Sequence, residues 1–127
     1  MRELKPVIFL FSVYNKESIT QNAWKHEMTV KALRTLDVPY KEMQGVYDGK
    51  REESIMIVGG GWRNLVESVC KKFGQESYLV SYGDRSSYLS MLDNSKGKYL
   101  GTLREFNEQP EGDYTLDLAT GRYWKCV

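Results

Sequence analysis

Apolar residues occur in short runs along the chain, and most of these runs have the composition of β-strands. Residues 7–14 form a nearly continuous apolar run rich in β-forming side chains, which predicts a central strand covered on both faces. Residues 40–47 and 52–58 flank Asp48-Gly49-Lys50, a typical hairpin turn sequence. The pattern therefore predicts a buried first strand and, further along the chain, a β-hairpin.

A first helix is predicted from Ser18 to the neighbourhood of Asp37. Ser18 and Gln21 have the spacing of a capping box, and Pro39 prevents the helix from continuing. Apolar side chains at intervals of four predict the stripe that this helix buries, formed by Trp24, Met28, Ala32 and Leu36. His26, the only histidine, lies off this stripe and is expected on the surface.

A second helix is predicted after Gly59-Gly60-Gly61, where the periodicity is the clearest in the chain. Gly74 stands where a left-handed C-terminal cap is expected. The apolar face comprises Trp62, Leu65, Val66, Val69, Cys70 and Phe73. Residues 77–82 follow as a strand, and the single intervening helix predicts a parallel right-handed crossover from residues 55–58.

The last third of the chain is predicted to be an antiparallel β-meander. Its β-prone runs, separated by turn signals, occupy residues 87–92, 99–106, 114–118 and 123–127. The predicted fold class is α+β, a mixed β-sheet with two amphipathic helices in the order β-α-β-β-α-β followed by the meander. We expect a single domain over residues 1–127, with residues 83–127 as a β-rich C-terminal extension.

The composition excludes several classes of protein but does not indicate an activity. The 127 residues include 18 Lys plus Arg and 17 Asp plus Glu, scattered along the chain, so no broad field favours nucleic acid or acidic lipid. Cys70 and Cys126 lack the spacing of a metal site, and no apolar run approaches the roughly 20 residues of a membrane span. We therefore expect a cytoplasmic protein that needs no metal or cofactor and has no membrane or nucleic-acid partner.

The triple glycine is the first candidate site. Gly60 and Gly61 would let a ligand approach the backbone, and Arg63 lies in the first helical turn beside unpaired N–H groups. A phosphate or a carboxylate would suit such a turn. The sequence matches neither of the glycine motifs typical of nucleotide binding, however, and a simple tight turn remains the favoured interpretation.

Polar residues at the ends of predicted elements form the second candidate site. Their amide, hydroxyl and carboxylate groups suit hydrogen-bonded recognition of a small polar ligand. The set comprises Tyr14, Asn15 and Asn22, Glu53 and Ser54, and Gln75 and Ser77. Turn formation by Asn15 and a solvated hairpin around Glu53 explain these residues nearly as well.

Several short motifs resemble a family of short uncharacterised bacterial and phage proteins. The resemblance spans residues 7–82 and rests on Tyr14-Asn15-Lys16-Glu17-Ser18, Asn22, Gly45, Glu52-Glu53-Ser54-Ile55 and Phe73-Gly74-Gln75-Glu76-Ser77. It implies a shared fold and a phage origin, and it assigns no catalytic residue. Residues 83–127 have no counterpart in it.

Three functions remain open from the sequence. The preferred one is a protein that binds a small polar or phosphorylated ligand, as a phage accessory or counter-defence protein that sequesters a nucleotide-like signal. The alternative is an inhibitor or adaptor that contacts a host protein through residues 99–123. An enzyme that uses Glu53, His26 or Tyr14 as acid or base ranks third. Open strand edges are also compatible with a homodimer.

Overall fold

The computed structural model describes residues 6–15 and 18–127, in which the chain forms eight strands and two α-helices. Lys16 and Glu17, from the motif after the first strand, lie outside the described residues. A 3₁₀ turn at Gly60–Trp62 precedes the second helix. The elements are β1 (Ile8–Phe11), α1 (Ile19–Thr35), β2 (Tyr40–Tyr47), β3 (Lys50–Val58), α2 (Arg63–Lys72), β4 (Ser77–Ser81), β5 (Ser86–Met91), β6 (Lys98–Phe106), β7 (Tyr114–Asp117) and β8 (Tyr123–Cys126).

The strands close into a barrel in which neighbouring strands run antiparallel. Their order around the barrel is β1-β3-β2-β7-β8-β6-β5-β4. β3 and β4 run in the same direction, as the helix between them predicts, but β1 lies between them and pairs antiparallel with both. The α+β class is therefore confirmed. The predicted mixed sheet is wrong, because the crossover passes over β1 instead of joining two neighbouring strands.

The last third of the chain is an integral part of this barrel. β5 to β8 supply four of the eight strands, and β7 pairs with β2 on the far side of the hairpin. β8 lies between β6 and β7, so these strands do not follow one another as a simple meander. Residues 83–127 therefore complete the barrel that the earlier strands begin, and they do not form an appendage to it.

Alternation along β1 separates two apolar clusters. Phe9 and Phe11 pack outside the barrel, where their cluster includes Val30 and Leu33 of α1 and Val66 and Cys70 of α2. Ile8 and Leu10 belong to the cluster inside the barrel, with Met43, Met56 and Leu103. All four residues of β1 are buried, as predicted for a strand covered on both faces.

Local sequence signals account for where several elements begin and end. Ser18 Oγ accepts a hydrogen bond from Gln21 N at 3.1 Å, which completes the predicted capping box. Asp48 and Gly49 have φ angles of 52° and 76°, so the β2–β3 hairpin turns on the left-handed pair that its sequence predicts. Gly74 follows α2 at φ 72°, in the left-handed cap conformation. These local predictions are confirmed.

The predicted apolar stripe of α1 faces solvent. Trp24, Met28 and Leu36 are 59%, 44% and 62% exposed. The helix instead buries Asn22, Lys25, His26, Thr29, Val30 and Leu33. Both the predicted stripe and the predicted surface position of His26 are wrong. Neither helix of the described residues has the length and apolar character needed to cross a membrane.

Several polar groups on the buried face of α1 have hydrogen-bond partners. Thr29 Oγ1 donates to the carbonyl of Lys25 at 2.8 Å. His26 Nε2 lies 3.2 Å from Glu42 Oε1 on β2, whereas His26 Nδ1 is buried with no hydrogen-bond partner among the described residues. A buried polar group that is hydrogen-bonded costs far less than an unpaired one, and periodicity alone does not reveal where such partners lie.

Substitutions on the two faces of α1 should show that the burial of an apolar residue, and not its apolar character alone, determines its contribution to the free energy of unfolding. Leu33→Ala should lower the free energy of unfolding by about 2–5 kcal/mol, because Leu33 is 1% exposed in the outer core. Trp24→Ala should change it by less than about 1 kcal/mol, because the ring is mostly in solvent. Chemical denaturation measures both values, and a larger loss for Trp24→Ala would contradict the described packing.

The Cys70 thiol should make the fold sensitive to alkali. Burial raises the pKa of Cys70 from 9.0 to about 12, and the Glu67 carboxylate adds to the shift. The folded state therefore holds this proton more tightly, so the contribution to stability is complete below pH 9.0 and is lost as the pH rises through about 12. Between these values the free energy of unfolding should fall less steeply in Cys70→Ala than in the wild type. Equal slopes would show that the thiol does not titrate differently on folding.

Candidate functional site

A cavity of about 580 Å³ opens in the barrel. Small-molecule sites typically occupy about 300–1,000 Å³ and combine apolar walls with a few polar groups. The apolar lining includes Leu10, Leu79, Leu89, Leu100, Leu103 and Trp124. The polar lining includes Ser12, Tyr47, Ser54, Gln75, Ser77, Asp113, Thr115 and Lys125. The cavity is therefore the candidate site.

Strand pairing brings three of the predicted polar segments to one end of the barrel. Because β1 is antiparallel to β3 and β4, the residues that follow β1 lie beside the beginnings of both strands. Ser12 Oγ donates to the carbonyl of Glu53 at 2.9 Å, and Gln75 Nε2 donates to the carbonyl of Tyr14 at 2.6 Å. The cavity lining at this end includes Ser54, Gln75 and Ser77.

Asn15 and Asn22 fasten the loop that follows β1. Asn15 N donates to Asn22 Oδ1 at 3.2 Å, and Asn22 Nδ2 donates back to the Asn15 carbonyl at 3.1 Å. Asn15 Nδ2 donates in addition to the carbonyl of Phe73 at 3.2 Å, just after α2. The two asparagines therefore hold the Tyr14 loop in place, and neither lines the cavity.

Tyr47 supplies a protonated phenol to the cavity wall. Its hydroxyl lies 2.8 Å from Oγ1 of Thr115, which is 3% exposed. Burial raises the pKa of Tyr47, hydrogen bonds from Thr115 and Ser54 lower it, and the charges of Glu52 and Asp113 raise it further. The net shift is upward, so the phenol remains a neutral hydrogen-bond donor at neutral pH.

Acidic side chains lie near the same end of the cavity, but Glu52, Glu53 and the neighbouring Tyr14 are not part of its lining. Burial raises the pKa of Tyr14, and the charges of Glu53 and Glu52 raise it further, which means that both carboxylates act on its hydroxyl. Asp113 lines the cavity, and so does Lys125, whose ammonium donates to the carbonyl of Glu111. These surroundings favour a ligand that carries positive charge and also has an anionic group.

The glycine turn lies away from this end. Gly59 N donates to the carbonyl of Val7 at 2.7 Å, just before β1, whereas the polar cluster follows the last residue of β1. The Arg63 guanidinium donates to the hydroxyls of Tyr78 and Tyr82 at 3.0 and 3.3 Å. The residues Gly60, Gly61 and Arg63 do not line the cavity. The two predicted candidate sites are therefore separate places in the fold.

His26 has an orienting carboxylate but does not reach the cavity. Its ring packs edge-on against Tyr14, with 6.4 Å between ring centroids, and its Nε2 faces Glu42. It is absent from the cavity lining. Among residues 6–15 and 18–127, no group of three His, Cys, Asp or Glu side chains could hold a metal ion.

The structure adds cavity residues that sequence reasoning missed, chiefly Tyr47, Thr115, Asp113 and Trp124. One available signal pointed to Tyr47. Gly45 stands two residues earlier on the same strand, and a glycine inside a strand often marks a close approach of other atoms. No local signal pointed to Thr115, because its place in the site depends on the pairing of β2 with β7.

Comparison with known proteins identifies a family of enzymes. A model described as the S-adenosylmethionine lyase family matches residues 9–127. No curated protein matches the sequence significantly. The matched stretch includes every residue that lines the cavity.

This match corrects the functional predictions. The preferred reading, a binding protein that sequesters a signal for a phage, is wrong, because the matched family is one of enzymes. The enzyme that ranked third in the sequence analysis fits better. The resemblance also needs correction on two points: the family has a named activity, and it extends beyond residues 7–82 through the C-terminal strands.

Proposed function

We propose that the chain, which belongs to the S-adenosylmethionine lyase family, cleaves S-adenosylmethionine in the barrel cavity without using water. The observation that carries this proposal is the coincidence of the family match with the cavity: residues 9–127 contain the entire lining, from Leu10 to Cys126. A lyase breaks a bond without adding water. The bond broken here is a carbon–sulfur bond of the sulfonium, because the sulfonium has the best leaving group in the molecule, a neutral thioether.

The charges around the cavity suit this substrate. S-adenosylmethionine carries a positive sulfonium, a positive ammonium and a negative carboxylate. Asp113 supplies negative charge in the lining, and the charges of Glu52 and Glu53 act on Tyr14 near the same end. Lys125, whose ammonium donates to the Glu111 carbonyl, adds a positive charge. The leucines and Trp124 of the lining offer apolar surface to the adenosyl group, and a volume of about 580 Å³ is in the range for such ligands.

The simplest reaction consistent with a lyase is an internal displacement. An oxygen of the substrate carboxylate attacks the γ-carbon of the methionine part, the bond from that carbon to sulfur breaks, and its electrons pass to sulfur. The products are homoserine lactone and the thioether methylthioadenosine. No proton is transferred in this step, so no general acid or base is required.

The protein's contribution is then to fold the substrate and to exclude water. Holding the carboxylate close to the γ-carbon is the positional effect by which intramolecular reactions gain rate. The Tyr47 phenol, Ser54 and Gln75 offer hydrogen-bonding groups to the bound molecule. Apolar walls favour a transition state in which the charges of carboxylate and sulfonium cancel, because separated charges are costly in such surroundings.

The products should distinguish this reaction from hydrolysis. Purified protein incubated with S-adenosylmethionine in water enriched in heavy oxygen should release lactone without heavy oxygen at the earliest times, followed by mass spectrometry. Homoserine with heavy oxygen in its hydroxyl would mean that water attacks the γ-carbon, and the lyase proposal would fail. Unchanged substrate would refute the function altogether.

The acidic end should act mainly on substrate affinity. The ammonium keeps its charge throughout the reaction, so carboxylates that bind it stabilise substrate and transition state alike. Asp113→Asn, at the carboxylate that lines the cavity, should raise KM about tenfold, while kcat stays within about twofold. Glu27→Gln, on the exposed face of α1, is the matched control and should leave both unchanged. If KM in Asp113→Asn equals KM in the control, this carboxylate does not bind the ammonium.

A further inference from the structure

We propose that Gly45 and Thr115 are positioning residues that hold the Tyr47 ring in the cavity wall. This inference rests on the proposed function, because the ring is placed to contact the bound substrate. The three residues are neighbours across one strand pair. Gly45 of β2 is directly opposite Thr115 of β7, and Tyr47 follows Gly45 by two residues on the same strand.

The Tyr47 ring lies over Gly45 on its way to Thr115. Residues two apart in a strand point to the same face, so the side chains of positions 45 and 47 share the barrel interior. Tyr47 reaches across the buried Gly45, and its hydroxyl meets Thr115 Oγ1 at 2.8 Å. The ring is therefore held by its hydrogen bond to Thr115 and by the space that Gly45 leaves because it has no side chain.

The glycine at position 45 is required by space and not by backbone conformation. Gly45 is not among the glycines with positive φ, which include Gly49 and Gly74. A Cβ at position 45 would stand 2.8 Å from Cζ and 2.9 Å from Oη of Tyr47, closer than real Cβ contacts. Any larger residue must displace the phenol end of the ring.

The Thr115 hydroxyl can orient the Tyr47 phenol because the Thr115 side chain has little conformational freedom. It is 3% exposed and β-branched, so its rotamer is restricted by both packing and covalent structure. The hydrogen bond from Thr115 lowers the pKa of Tyr47 against the effect of burial. Losing the Thr115 hydroxyl should therefore free the ring and raise the pKa of Tyr47.

Kinetics of five variants test the proposal, with S-adenosylmethionine as substrate. Thr115→Val should lower kcat about tenfold, the equivalent of one hydrogen bond, and Thr115→Ser should stay within about twofold of the wild type. Gly45→Ala should lower kcat roughly hundredfold by misplacing the ring. In a Tyr47→Phe background, Thr115→Val should have no further effect, because the hydroxyl through which Thr115 acts is gone.

A second measurement needs no activity. Tyrosine absorbance is followed during an alkaline titration, and Tyr47→Phe serves as the reference that identifies the transition of Tyr47. This transition should occur at higher pH in Thr115→Val than in the wild type and at the wild-type pH in Thr115→Ser. If the wild type does not cleave substrate, the proposed function fails, and this titration still decides whether Thr115 holds the phenol. If the wild type is active and Thr115→Val loses the same factor with and without the Tyr47 hydroxyl, the positioning role is overturned. An unmoved titration overturns it as well.

Discussion

The antiparallel pairing of β1 with both β3 and β4 is the interaction on which the rest of the structure depends. It places a short, fully buried strand between two strands that the chain connects through α2. One face of β1 packs against the helices and the other faces the barrel interior. The same pairing brings the residues after β1 beside the beginnings of β3 and β4. Without this pairing of β1, Tyr14, Glu53 and Gln75 would not lie close together.

Features that depend on neighbouring residues were predictable, and features that depend on distant ones were not. The capping box at Ser18, the turn at Asp48-Gly49 and the cap at Gly74 are set by local backbone chemistry, and the structure shows all three. Barrel closure depends on the pairing of β7 with β2, two strands that are separated by about half of the chain. The apolar and polar pattern fixes neither that partner nor its register.

α1 shows how periodicity fails when polar groups have partners. The stripe through Trp24 and Met28 has ideal spacing for burial, yet the helix turns Asn22 and His26 inward. Asn22 is bonded to the loop at Asn15, and His26 to Glu42. Such pairing lowers the cost of burying these side chains even though His26 Nδ1 is left unpaired, so their polarity does not indicate which face is exposed.

The proposed function is hard to recognise from the sequence because an internal displacement would leave little acid–base machinery to find. Motif searches look for nucleophiles, bases and metals, and here the substrate would supply both its nucleophile and its leaving group. Such a reaction requires a cavity whose shape folds the substrate and whose interior has a low dielectric constant. The apolar lining suits the step in which opposite charges cancel, whereas carboxylates close to the sulfonium would stabilise the charged ground state and slow it. This argues that the acidic end of the cavity meets the ammonium and that the sulfonium lies toward the leucines and Trp124.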